Sequence, residues 1–413
     1  MKICIHRGSN EIGGNCVELH AEGASILLDL GEPLMGSEFG EEALPEVEGL
    51  TDGTNPNLLG IVISHPHMDH YGLVKLASPE LPKFIGREAD KLLRAASAFT
   101  PLGMNFENVH HYQDKQPFQI GPFRITPYIA DHSAYDSYSF LVEAAGKTLF
   151  YSGDLRSHGW KDWAFKRLLN NPPKHVDAML LEGTTLSRES DGSTVTEADL
   201  VDKIAAKIWD TKGIVLAGLS GQNIDRLVTF YKATLKTGRS FVADAYIAHL
   251  LHSIGRPSLP DPTSGAMRVF LPNRMKRQIV RSQCFDVVEP FRRSRIYPEE
   301  MLTNNTKLVV SFRASMADDF ENVNLTRGGR LIYSMWPGYL ENGSSNLRDW
   351  CAEKGVAFDI LHSSGHATFD DLFRLVRAFQ PRSVIPIHTL APERFESLGA
   401  PIKHIPDNRW HPI

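Results

Sequence analysis

The sequence predicts an α/β protein built in two parts. Three observations carry that reading: a meander of short β-rich runs at the start, an alternation of helices and strands after residue 70, and a more regular alternation from about Thr196. That last texture suits an inserted parallel α/β domain, and the domains read as 1–195, 196–345 and 346–413, the first and last closing around the second. At 413 residues the chain exceeds one ordinary core, so two domains, or one with a large insertion, are expected.

Residues 2–6, 15–20 and 25–30 are β-rich and separated by glycine-containing turns, which gives an antiparallel opening. The third run ends in Leu28-Asp29-Leu30-Gly31, so Asp29 stands at a strand end, where a carboxylate can orient a metal-bound histidine. Residues 36–56 are acidic and rich in Gly and Pro, and read as a solvent loop. The apolar run Leu58-Leu59-Gly60-Ile61-Val62-Ile63 then delivers Ser64-His65-Pro66-His67-Met68-Asp69-His70. Three imidazoles and a carboxylate within six residues match the ligand shell of zinc or a similar divalent ion, and one ion does not use all four. On an extended loop His65 and His67 point the same way, while Asp69 and His70 follow in a turn facing a neighbouring point. That favours two adjacent ions, and a pair roughly 3.5 to 4 Å apart suits hydrolysis.

Helices are expected over 71–77 and 88–98, with strands near Phe84, over 124–129 and over 139–143. Ala130-Asp131-His132-Ser133 and Ser152-Gly153-Asp154 each follow a strand and add one ligand candidate. Asp154, after a glycine turn, suits a carboxylate reaching two ions. Residues 178–185 form an apolar strand ending in Glu182. Beyond it come a helix to Trp209, a strand at 213–217, a helix at 222–236 and a strand at 240–243, with further units to Tyr333. Ser363-Ser364-Gly365-His366-Ala367 leads into a helix over 370–379, and Pro386-Ile387-His388-Thr389 closes a later strand.

Composition narrows the function classes. A net charge of −5 argues against a protein that coats nucleic acid by bulk charge and leaves only a local basic surface. Cys4, Cys16, Cys284 and Cys351 are dispersed without a Cys-x-x-Cys pair, which suits a reducing cytoplasm. No apolar signal core opens the chain and no stretch suits a membrane span, so a soluble cytoplasmic protein is expected.

His-x-His-x-Asp-His after a strand, a later His and a later Gly-Asp, with Gly13-Gly14-Asn15 and Leu27-Leu28-Asp29-Leu30-Gly31 upstream, resemble the metallo-β-lactamase superfamily. The resemblance implies an αββα sandwich in which His65, His67 and His132 bind one metal, Asp69 and His70 a second, and Asp154 bridges them. Glu182, Ser-Gly-His-Ala and Pro-Ile-His resemble the extra motifs of its β-CASP group, which processes nucleic acids; Glu11-Ile12-Gly13-Gly14-Asn15 is similar to the ribonuclease J family. A histidine in the last motif accompanies RNA-processing members, so His388 implies RNA, single-stranded in the first instance, and a further ligand to the second metal. His366 is implied as proton donor to the departing ribose oxygen, oriented by Glu182, with Asp69 and His388 also in the catalytic set.

Gly183 stands where the family usually has serine, and Thr389 where glycine is common, which leaves end preference, processivity and homo-oligomerisation open. The expected activity is therefore a ribonuclease, exo- or endonucleolytic, with two zinc or manganese ions activating a hydroxide in the cleft between sandwich and insertion. A hydrolase of DNA or of a small ester, lactone or thioester is the alternative, and a scaffold subunit is disfavoured because every ligand position is filled. Candidate phosphate contacts are the backbone at Ser364, Gly365 and Ala367, the side chain of Arg313, and an arginine-rich stretch from Arg268 to Arg295.

Overall fold

The structure is a computed structural model. It describes residues 1–34, 40–188, 194–342 and 346–413, so positions 36–39 of the acidic loop and residue 345, where the insertion was expected to end, lie outside the described residues. The chain divides into two compact units: Met1–Leu93, Met104–Thr194 and Gly365–Ile413 form unit 1, and Arg94–Gly103 with Val195–Ser364 form unit 2.

Unit 1 contains two sheets. The first uses β1 (Lys2–Arg7), β2 (Cys16–Ala21), β3 (Ala24–Leu28), β4 (Leu58–Val62), β5 (Lys83–Gly86) and β6 (Val109–Tyr112) in sequential order. The opening three strands are antiparallel, as alternation and glycine turns predict, whereas β3 to β6 run parallel. The second sheet holds β7 (Phe118–Ile120), β8 (Phe123–Ile129), β9 (Tyr138–Ala144), β10 (Lys147–Tyr151) and β11 (Ala178–Glu182), antiparallel up to β10 and parallel from β10 to β11.

Unit 2 is one parallel sheet of β12 (Val215–Gly218), β13 (Ser240–Asp244), β14 (Arg268–Phe270), β15 (Leu308–Phe312), β16 (Arg330–Tyr333) and β17 (Ala357–Ile360). Their spatial order is β14-β13-β15-β12-β16-β17. Because β17 hydrogen-bonds in register with β16, the unit runs on to Ser364, past the 345/346 boundary read from the sequence. Back in unit 1, β18 (Val384–Ile387) extends the second sheet beside β11, and β19 (Trp410–Pro412) adds to the first beside β1.

Strand periodicity explains how unit 1 is assembled. Phe140 and Val142 of β9 and Leu149 and Tyr151 of β10 point into a core shared with Ile3, Ile5, Val17 and Leu19 of the first sheet. Their neighbours Leu141 and Phe150 point the other way, against Phe165 and Leu168 of the helix Asp162–Asn170 and Leu372 and Val376 of the helix Phe369–Phe379. A sheet apolar on both faces needs a layer on each side, and the two-sheet and helix layers supply them. The helix expected over 71–77 is displaced: an α-turn spans Met68–Tyr71 and a 3-10 turn Val74–Leu76. Among the described residues no helix is long and apolar enough to cross a membrane.

Candidate metal centre

The centre is assembled at strand ends of unit 1. β4 delivers His65, His67 and the turn carrying Asp69 and His70; β8 precedes His132, β10 precedes Asp154, β11 ends at Glu182 and β18 precedes His388. Local backbone is shaped to hold them. Gly31, just after β3, lies so close to the Met68–Tyr71 turn that an added Cβ would stand 1.7 Å from the Asp69 carbonyl oxygen. Around it Leu30 N donates to His70 O and Glu32 N to Met68 O, each at 2.9 Å, so the stretch after β3 and the turn carrying Asp69 and His70 fix one another. Asp29 and His388 adopt left-handed φ values of 60° and 54°, unusual for residues other than glycine. His388 is further tied by its amide to Gly8 O at 2.7 Å.

Ligand-type atoms fall into overlapping groups, each with its atoms within 4.8 Å of one another. His65, His67, His132 and Asp154 form one; Asp69, His70, Asp154 and His388 the second; Asp154, Glu182 and His366 the third. Asp154 belongs to all three. His65 Nε2, His132 Nε2 and His70 Nε2 stand 3.6, 3.8 and 3.2 Å from Asp154 Oδ2. His388 Nε2 lies 3.7 Å from Asp69 Oδ2.

Hydrogen bonds on the far side of the rings decide which nitrogen faces inward. Asp29 Oδ2 takes the His70 Nδ1 proton at 2.7 Å and also accepts from Ser64 Oγ at 2.7 Å and Tyr151 OH at 2.6 Å. With its hydroxyl proton given to Asp29, Ser64 accepts from His65 Nδ1 at 3.0 Å. His132 Nδ1 donates to Gly365 O at 2.5 Å. Each ring is thereby left with Nε2 as a lone-pair donor. The fit to divalent ions is visible in what remains: His65 Nε2, His70 Nε2, both Asp154 oxygens and both His388 nitrogens are buried and make no hydrogen bond.

Electrostatics agree with that reading for three of the rings, whereas at His70 burial is outweighed by Asp154 and Asp29, which raise its affinity for a proton. Burial pushes His65 and His132 well below the usual imidazole range and His67 down to about 4, so these rings are held neutral, the form that can ligate a metal. Burial also opposes charge on Asp154, but His388, His70 and His366 around it outweigh that and keep it ionised. At His366 burial is outweighed by Glu182 and Asp154, which raise its affinity for a proton.

Glu182 is buried, accepts from the amides of Leu155 at 3.2 Å and Thr184 at 3.1 Å, and holds His366 Nδ1 at 3.3 Å. Of the phosphate candidates, Ala367 turns its amide inward to Glu182 Oε1 at 3.5 Å, so it has no outward donor to offer. Gly365 contributes its carbonyl to His132, a role its amide-based reading did not include. Arg313 lies in unit 2, paired with Asp244 at 2.9 Å, and Ser364 ends the same unit. The arginine-rich stretch is not one surface: Arg268 is tied to Glu300 at 2.7 Å, whereas Arg274, Arg277 and Arg281 line an open recess. Sequence reasoning missed Tyr151 and Ser64 as partners of Asp29; alternation along β10 alone would place Tyr151 on the face of Leu149.

Comparison with known proteins adds an independent line. Residues 27–207 match the model of a beta-lactamase superfamily domain, and residues 355–395 that of a Zn-dependent metallo-hydrolase RNA specificity domain. Ribonuclease J of Helicobacter pylori is 22% identical over 94% of this chain, and the chain spans 56% of that relative's length. Ribonuclease J of Mycobacterium tuberculosis is 23% identical over 94% of the chain and 68% of the relative. Among solved structures, a protein of unknown function from Enterococcus faecalis V583 superposes with a TM-score of 0.79, at 20% identity, over 99% of both chains, a likeness of fold.

Proposed function

The chain is a metallo-β-lactamase protein of the β-CASP kind that resembles ribonuclease J, and on that premise we propose that it is a metal-dependent ribonuclease. The observation that carries the proposal is the sharing of Asp154 by two histidine-rich donor sets and by the His366–Glu182 pair. The RNA-specificity match at 355–395 contains both His366 and His388, which favours RNA as substrate.

His65, His67 and His132 would hold one divalent ion and Asp69, His70 and His388 a second, with Asp154 belonging to both donor sets. Bound there, zinc or manganese lowers the pKa of water and offsets the charge developing on a phosphodiester. Asp29 keeps the His70 ring turned inward, and the Gly365 carbonyl does the same for His132. His366 gives its proton to the departing ribose oxygen, and Glu182 aims the ring and favours its protonated form.

The test uses purified protein with zinc or manganese and matched RNA and DNA oligonucleotides carrying 5′-monophosphate, triphosphate or hydroxyl ends. Cleavage of RNA that is lost in Asp154→Ala and His366→Ala is the expected result. Mononucleotide release from 5′-monophosphate RNA identifies an exonuclease, and discrete internal fragments an endonuclease. Intact RNA beside a cleaved ester or lactone overturns the proposal.

A further inference from the structure

A separate group of unsatisfied donors lies in unit 2, at the carboxyl ends of its parallel strands. β12 ends at Gly218 and passes through Ser220-Gly221-Gln222 into the helix Ile224–Lys236; β13 ends at Asp244, which caps the helix Ala245–Ile254; β15 ends at Phe312, just before Arg313. β13 and β15 are neighbours, yet the strand following β13 lies on one side of the pair and the strand following β15 on the other. Connections that diverge in this way open a crevice at the strand ends, the place where open parallel sheets take ligands.

The groups gather around the Tyr246 ring. The Gly221 backbone packs so closely on it that an added Cβ would stand 2.6 Å from Tyr246 Cε1, and the Arg313 guanidinium lies over the ring at 5.4 Å. Gln222 stands beside the hydroxyl. Gln222 Nε2 and Tyr246 OH are buried, with only 9% and 7% of those residues exposed; the amide is close enough to act on the phenol, but neither atom reaches a hydrogen bond of ordinary geometry. Arg313 NH1 is likewise buried and unsatisfied. Burial holds the phenol in its protonated, donating form.

Asp244 does not fill this need. Its Oδ1 already accepts from the amides of Tyr246 at 3.0 Å and Ile247 at 3.2 Å and faces Arg313 NH2 at 2.9 Å, while Oδ2 accepts from Ser311 Oγ at 2.8 Å. The carboxylate therefore fixes the guanidinium in place and has little capacity left. What the crevice lacks is a multivalent acceptor, and leaving a buried donor without one is destabilising.

We propose that Gln222, Tyr246 and Arg313 bind a phosphate group, which on the ribonuclease reading is a backbone phosphate of the RNA strand other than the one cleaved. A tetrahedral oxyanion offers each donor a separate oxygen, and the guanidinium supplies the charge.

The experiment measures binding of single-stranded RNA oligonucleotides by fluorescence anisotropy over a range of salt, in full-length protein carrying Asp154→Ala so that the strand stays intact. Arg313→Gln is expected to weaken binding evenly across sequences and to flatten the plot of log affinity against log salt by about 0.7. Tyr246→Phe, which removes only the hydroxyl oxygen, is expected to cost about tenfold in affinity with an unchanged circular dichroism spectrum. Unchanged affinity and slope in both variants overturn the RNA assignment. Should the parent protein neither bind nor cleave RNA, the ribonuclease reading fails, and inorganic phosphate then tests the crevice by itself. A phosphate-dependent rise in Tm that Tyr246→Phe and Arg313→Gln abolish keeps the site with free phosphate as its ligand, and no such rise overturns it.

Discussion

Asp29 shows how much one side chain can govern from outside the candidate ligand groups. It accepts hydrogen bonds from His70, Ser64 and Tyr151 and, through Ser64, sets the ring of His65. Asp29→Ala is expected to lower metal affinity 10- to 100-fold, read as metal content after dialysis against graded chelator. His366 is proposed to act on the leaving group instead. His366→Ala should retain its metal and lose about 10²- to 10⁴-fold in RNA turnover, with a much smaller loss on an aryl phosphodiester whose leaving group needs no proton. Equal losses on both substrates would remove His366 from that role. At this scale the ligand-type residues were legible because their types cluster at strand ends in the chain. Tyr151 and the Gly365 carbonyl were not, since a hydroxyl in an apolar strand and a backbone oxygen carry no chemical mark in a sequence.

Elements are held by contacts as specific as those of the site. Gly31 lets the stretch after β3 lie directly on the turn carrying Asp69 and His70. Gly31→Ala is expected to cost about 3 kcal/mol or more, because the Cβ meets the Asp69–His70 backbone, and to reduce metal content together with the denaturant midpoint. In unit 2, Asp359 of β17 binds Lys207 of the helix Glu197–Trp209 at 2.6 Å and pairs with Arg330 of β16. Partial burial opposes its charge, but the two cations outweigh it and set its carboxyl below the usual 3.8. A carboxyl depressed on folding stabilises above its unfolded pKa and loses that contribution as pH falls through the lower folded value. Asp359→Asn should therefore lower the denaturant midpoint at pH 7, and the gap to the parent protein should close below about pH 4. A gap independent of pH would show that the pair contributes shape and not charge. The break in the expected 71–77 helix belongs to this scale too: the Met68–Tyr71 turn is bound to the backbone after β3, a partner that helical propensity does not see.

For the whole molecule, every proposed metal donor lies in unit 1, so metal binding should stabilise that unit selectively. At metal concentrations 100-fold above Kd the gain is about 2.7 kcal/mol. Hydrogen exchange should show it as slower opening of β1 to β11, reversed by chelator, with β12 to β17 unchanged; equal protection of both sheets would contradict it. By itself the sequence determined the α/β class, the antiparallel opening, the alternation that becomes the parallel sheet of unit 2 and the residue types of the centre. These are properties of neighbouring residues, since periodicity and strand-end motifs act over a few positions of chain. Only the tertiary structure decided that Asp154 joins three groups, that β17 belongs to the sheet of unit 2, that Ala367 faces inward, and that Gln222, Tyr246 and Arg313 meet around one crevice. Those outcomes depend on strands far apart in the chain being brought side by side, and on buried polar groups finding, or failing to find, a partner once water is excluded.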